Sequence, residues 1–154
     1  MTNPDQTVDD LLAEAATLIF AAFDETRAWD LGTMLITQAR RDKLGVVINI
    51  RTANRVLFHA STPGAAPLND NWARRKSNVA LMFAEASMLV GTRNRAKGQT
   101  LADQGLDAAD FADHGGAVPI VVEGTGMVAV VTVSGLPQRD DHAMVVAAIR
   151  QMLG

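Results

Sequence analysis

The residues in this chain whose types could do chemistry are few. His59, His114 and His142 are its three histidines. Imidazole ligates metals and haem iron and exchanges protons near neutral pH. None of the three has the local HxH or HxxxH spacing that would mark a metal site. Arg74, Arg75 and Lys76 stand together in NDNWARRKSNV, where the pattern opens a helix. Cations in the first turns oppose the positive helix end, each at a cost of roughly 0.3–1 kcal/mol at an exposed site. Something anionic should offset that cost. It is either an exogenous phosphate, propionate or carboxylate, or an internal acid such as Asp70, Asp140 or Asp141, or an acid of another subunit. Arg75 and Lys76 lie three and four positions after Trp72 and so share its face.

The remaining signals are weaker. Gly115-Gly116 and Gly124-Thr125-Gly126 match neither GxGxxG nor a phosphate loop, and tight turns account for both. Ser134-Gly135 lacks the GxSxG context of a nucleophile elbow. Asp140, Asp141 and His142 are consecutive on a helix and point in different directions, which disfavours a Ser134–His142–Asp triad. With no recognisable catalytic constellation, an enzyme is the last-ranked reading. The candidate ligand site is a cleft near Arg75, Lys76, His114 and the Gly115-Gly116 turn, with Trp72, Asp141 and His142 beside it.

Composition narrows the classes. A chain of 154 residues with net charge −3 and no cysteine is one domain, 1–154, without disulfides or thiolate chemistry. Nothing global points to nucleic acid or an anionic membrane. No apolar run approaches the ~20 residues needed to span a bilayer. The start, MTNPDQTVDD, is acidic and lacks a basic-then-apolar leader, so a soluble, cytoplasmic protein is expected. The seven methionines read as core filler.

The elements that must position these groups follow from periodicity and punctuation. Thr7–Ala16 reads as a helix opened by Thr7, and Thr17–Phe23 as a strand. Asp24 caps a helix over Glu25–Lys43 that Gly45 stops. Val46–Arg51 and Arg55–Ala60 form a hairpin across Thr52-Ala53-Asn54. A long helix is expected over about Asn71–Arg93, apolar around more than half its girth, which in so short a chain implies cover by a partner subunit. Short helices are expected at Leu101–Gln104 and Ala108–Ala112. Val118–Glu123 and Met127–Ser134 form a glycine-bounded ribbon at the middle or edge of a sheet. Pro137 opens a last helix to about Leu153, with His142, Val145, Ile149 and Met152 on one face. The order predicts an α/β (α+β) fold with a five-stranded antiparallel sheet flanked by helices.

HGGAVPI and VTVSGLPQRDDHAMVV, together with NDNWARRKSNV and AWDLG, resemble a family of small bacterial and fungal proteins. That family is similar to the GlcG/HbpS-like group, often labelled a haem-degrading domain. The resemblance runs from about Phe23 onward. Its glycine and VSG turns and its last-helix acid fall here on Gly115, Gly116, Pro119, Ser134, Gly135 and Asp141. It implies a profilin-like α-β-α sandwich, assembly into dimers or rings of dimers, and haem as a ligand. Two functions compete. One is an oligomeric binding protein for a small anionic ligand, haem by resemblance. The other is a non-catalytic assembly module that presents a surface to a protein partner.

Overall fold

The computed structural model describes residues 5–154; Met1–Pro4, the first part of the expected leader-free start, lie outside them. Ten helices and strands follow in order: α1 (Val8–Ala16), β1 (Ile19–Phe20), α2 (Glu25–Arg41), β2 (Val47–Arg51), β3 (Val56–Ser61), α3 (Pro67–Phe83), α4 (Ser87–Lys97), β4 (Ala117–Val122), β5 (Gly126–Ser134) and α5 (Gln138–Leu153). Thr7 caps α1 by accepting the Asp10 N–H, and Asp24 caps α2 by accepting that of Arg27. Both caps satisfy amides that a helix start leaves without partners.

The five strands run in the order β1-β4-β5-β2-β3, so the glycine-bounded ribbon lies at the centre. β2–β3, β2–β5 and β4–β5 are antiparallel, but β1 joins β4 in parallel. The sheet is therefore mixed, a correction to the antiparallel expectation. Strand alternation divides the side chains between two layers. Ile48, Ile50, Val131, Val133 and Ile120 enter the main core with Leu31, Leu35, Val145 and Ile149 of α2 and α5. On the other face, Ala117 and Val130 pack with Ala80 of α3. The result is the α-β-α sandwich that the resemblance implied.

Four local expectations are corrected. The helix expected over Asn71–Arg93 is two helices, broken where Ala84 takes a left-handed conformation (φ 55, ψ 34). The break lets Val79 of α3 and Val90 of α4 share one cluster with Leu101, Phe83, Leu106 and Phe111. The chain's own 98–116 excursion therefore covers much of the apolar girth that had implied a partner subunit. Second, the left-handed residue after α2 is Lys43 (φ 55). Gly45 instead allows close backbone approach, since a Cβ there would lie 2.8 Å from the Gly64 carbonyl carbon. Third, Ala108–Ala112 holds a single turn over 108–110 and no helix, and Leu101–Gln104 holds one 3-10 turn over Ala102–Gln104. Fourth, the strand expected over Thr17–Phe23 shrinks to two residues. Among the described residues no helix is long and apolar enough to cross a membrane.

A candidate ligand site around His114

The site is built where β5 turns into α5. β5 ends at Ser134; Gly135 follows with φ +149, and α5 begins just beyond Pro137. Asp141, in the first turn of α5, accepts the Leu136 N–H at 2.9 Å and the Gly135 N–H at 3.4 Å. From α3, Lys76 Nζ donates to Asp141 Oδ2 at 2.9 Å, and the two side chains are only 5% and 1% exposed. A buried charge persists only when paired and hydrogen-bonded, and this pair ties α3 to the β5–α5 turn.

The two glycines before β4 are required by crowding. At Gly116 (φ +141) a Cβ would lie 2.4 Å from the Val133 carbonyl oxygen and 3.0 Å from Lys76 Nζ. At Gly115 it would lie 2.6 Å from the Gln138 carbonyl oxygen, while the Gly115 N–H donates to Gln138 Oε1 at 2.9 Å. Tight approach fixes the backbone here, and His114 projects from the start of that turn.

Two cavities meet at His114. One, of about 200 Å³, is lined by Asn69, Trp72, Lys76, His114, Gln138 and Asp141, among others. The other, of about 370 Å³, includes Arg75, Arg95, Leu101, Phe111, Asp113 and again His114. The His114 ring meets Trp72 edge-on, with centroids 5.1 Å apart at 74°. The Arg75 guanidinium sits 4.4 Å from the Trp72 ring centroid, a cation–π contact, while its Nε donates to the Ala108 carbonyl at 2.9 Å. Partial desolvation holds the His114 pKa below its ordinary value; Asp113 opposes this, and the charges of Arg95, Lys76 and Arg75 reinforce it. This shift favours the neutral ring, whose lone pair can serve as a ligand. Among the described residues neither ring nitrogen of His114 makes a hydrogen bond, and neither Arg75 nor Arg95 has a carboxylate within ion-pair distance.

Of the residues expected at the cleft, Trp72, Lys76, His114 and Asp141 line the smaller cavity, and Gly115 and Gly116 shape the turn beside it. Three expectations change. Lys76 is neutralised by Asp141, the internal alternative, so the cations open to an anion are Arg75 and Arg95; Arg74 is paired with Asp110 at 3.0 Å. Arg75 faces the neighbouring cavity across Trp72. His142 is elsewhere: buried in α5, it bonds Glu14 Oε1 through Nε2 at 2.6 Å and lines a separate apolar cavity. That placement also separates it from Ser134, so no triad forms. His59 is an exposed residue of β3, where the Asn49 amide meets Nδ1 at 3.1 Å and Nε2 lies 2.9 Å from Oδ1 of Asp70 on α3. Among the described residues no three metal-ligating side chains gather. Arg95, Asp113 and Gln138 escaped the sequence reading, because no spacing marks them; the fold alone brings them to His114.

The family model for haem-degrading proteins of the HbpS-like type matches residues 23–150. A UPF0303 protein of Rhizobium etli is 46% identical over 151 residues, covering 96% of this chain and 92% of its own. A UPF0303 protein of Burkholderia mallei is 48% identical over 145 residues, covering 94% and 88%. Among solved structures, the Ybr137w protein superposes with a TM-score of 0.88 at 28% identity, over 98% of this chain and 92% of that one. HbpS shares the fold at a TM-score of 0.64 and 19% identity, over 100% of this chain and 94% of that one. PduOC, solved as a haem complex, shares it at 0.71 and 18%, over 84% and 94%. By the family model and by these relatives, the chain belongs to the HbpS-like haem-degrading protein family and, within it, groups with the UPF0303 proteins.

Proposed function

We propose that this protein is an oligomeric binding protein for a small planar anion of the haem class, held around His114. The observation that carries this reading is an imidazole free of hydrogen bonds within the described residues, set between two cavities beside Trp72 and two guanidiniums, Arg75 and Arg95, that have no carboxylate within ion-pair distance among the described residues. The family match and the haem complex of a structural neighbour support the same choice of ligand. The donor set fits haem in kind. His114 supplies a nitrogen ligand, Trp72 an aromatic face, and Arg75 and Arg95 cations for carboxylates. The fit in size uses both cavities. Drug-sized ligands occupy roughly 300–1,000 Å³, and the cavity of about 200 Å³ alone falls short of that. Haem, when bound, supplies a redox-active iron; the protein's part is to ligate, orient and neutralise. Titrating the purified protein with haemin tests the reading. A saturable Soret shift that His114→Ala removes supports it, and the absence of any such shift overturns it.

A second reading, an assembly module with a protein partner, draws on the β3 side. β3 is an edge strand, Val56 and Trp29 are each 62% exposed, and Trp29 packs edge-on against Phe58 at 5.5 Å. An exposed edge with apolar side chains is a template for pairing. Self-association through this face belongs to both readings, as does the cytoplasmic setting expected of a cysteine-free chain. Light scattering with a pull-down separates them, because a stable oligomer that retains a protein and no small molecule favours the second.

A further inference from the structure

A cavity of about 200 Å³, apart from the His114 site, lies between α1, the α3–α4 elbow and the outer edge of β4. Strand geometry explains why it exists. β1 pairs only with Val121 and Val122, so the first half of β4 has no strand on that side. The outward amide of Ala117 is met by Ser87 Oγ at 3.1 Å. Two residues on, at the next outward position, stands Pro119, which has no N–H to leave unsatisfied. The bare edge therefore leaves no orphan donor at these two positions, and Leu11, Leu18, Leu89 and Val118 line the cavity beside it.

One end is different. Glu14 of α1 and His142 of α5 both line the cavity. Glu14 Oε1 accepts from His142 at 2.6 Å and Oε2 from Gln6 at 3.1 Å. Two carboxylate oxygens offer about four lone-pair sites, so acceptor capacity remains. Burial pushes the Glu14 carboxyl up, but His142, Gln6 and Arg150 outweigh it and hold the group ionised. Ala84, whose left-handed backbone is costly for a residue with a Cβ, forms part of the rim.

We propose that this cavity is a second binding site, for a small ring-sized apolar molecule carrying one cationic or hydrogen-bond-donating group that meets Glu14. Size sets the body of the ligand, since an apolar cavity of about 150 Å³ suffices for a benzene ring. Charge sets its head, because a carboxylate beside apolar walls accepts an ammonium and repels an acid. The site is chemically opposite to the cationic surroundings of His114 and does not depend on them.

Benzylamine, toluene and benzoate are the probes, followed by calorimetry and ligand-observed NMR on the full chain. Benzylamine binds saturably, and benzoate at least about tenfold more weakly. Glu14→Gln weakens benzylamine by about tenfold while leaving toluene unchanged. Ala15→Phe, at an exposed α1 position on the cavity wall, abolishes both without lowering the melting temperature. His114→Ala changes none of this, which keeps the result separate from haemin binding. The proposal is overturned if no probe saturates, if Ala15→Phe leaves binding intact, or if haemin displaces benzylamine. It also fails if cross-saturation shows a second copy of the chain filling the cavity.

Discussion

Lys76 and Asp141 show how much rests on single side chains. Their ion pair is buried, and removing one partner of such a pair costs about 3–5 kcal/mol, because the other charge is left stranded. Lys76→Met should therefore lower the unfolding free energy from a denaturant titration by that amount, at an unchanged m-value. Lys76→Met combined with Asp141→Asn should lose less, since an amide oxygen still accepts the Leu136 N–H without a buried charge. His114 contributes a pH dependence near neutrality. Its folded pKa lies below the ordinary value of about 6.5, so between the two values the unfolded chain binds more protons than the folded one. The stabilisation is present in full above the ordinary value and is lost as pH falls through the folded value. Haemin affinity should likewise persist below the pH at which a free imidazole protonates and then drop, which a Soret titration across pH reads directly. The sequence displayed His114, Trp72 and the cationic run as groups able to do chemistry. It offered Asp141 as one of three internal acids for that run, but did not single out Lys76 as its partner, because pairing between residues 65 positions apart leaves no local spacing.

The α3–α4 elbow decides what the site contains. Ala84 there pays for its left-handed turn with roughly 1–2 kcal/mol that glycine would not incur. Ala84→Gly is expected to raise the melting temperature, as a scanning calorimeter would record. Gly91 in α4 works the other way. A Cβ there would lie 1.9 Å from the Asp113 carbonyl oxygen, so Gly91→Ala should push away the segment that carries Asp113 and His114. Faster amide exchange over residues 98–116, with weakened haemin binding, is the expected result. Helix periodicity reached across the elbow because Phe83–Ala86 contains neither glycine nor proline to mark a stop. The β2–β3 hairpin and the β4–β5 ribbon were legible, since alternation and turn residues are local signals. The parallel partner of β4 was not, because a two-residue strand carries almost no pattern and its direction is set by the whole chain.

At the scale of the molecule, one sheet sorts two chemistries. Helices α2 and α5 close the main apolar core on one face, while α3 on the other brings Lys76 to the β5–α5 turn. The covered cluster of Val79, Val90 and Leu101 moves the argument for self-association from that helix to the β3 edge. Val56→Lys, which places a charge on that edge, should shift the light-scattering mass toward the monomer while leaving far-ultraviolet dichroism unchanged. The most direct test of the central claim is a haemin titration of the wild-type protein beside His59→Ala, His114→Ala and His142→Ala. A saturable Soret shift that only His114→Ala abolishes is the predicted result. A shift that survives His114→Ala, or no shift in the wild-type protein, would contradict the account.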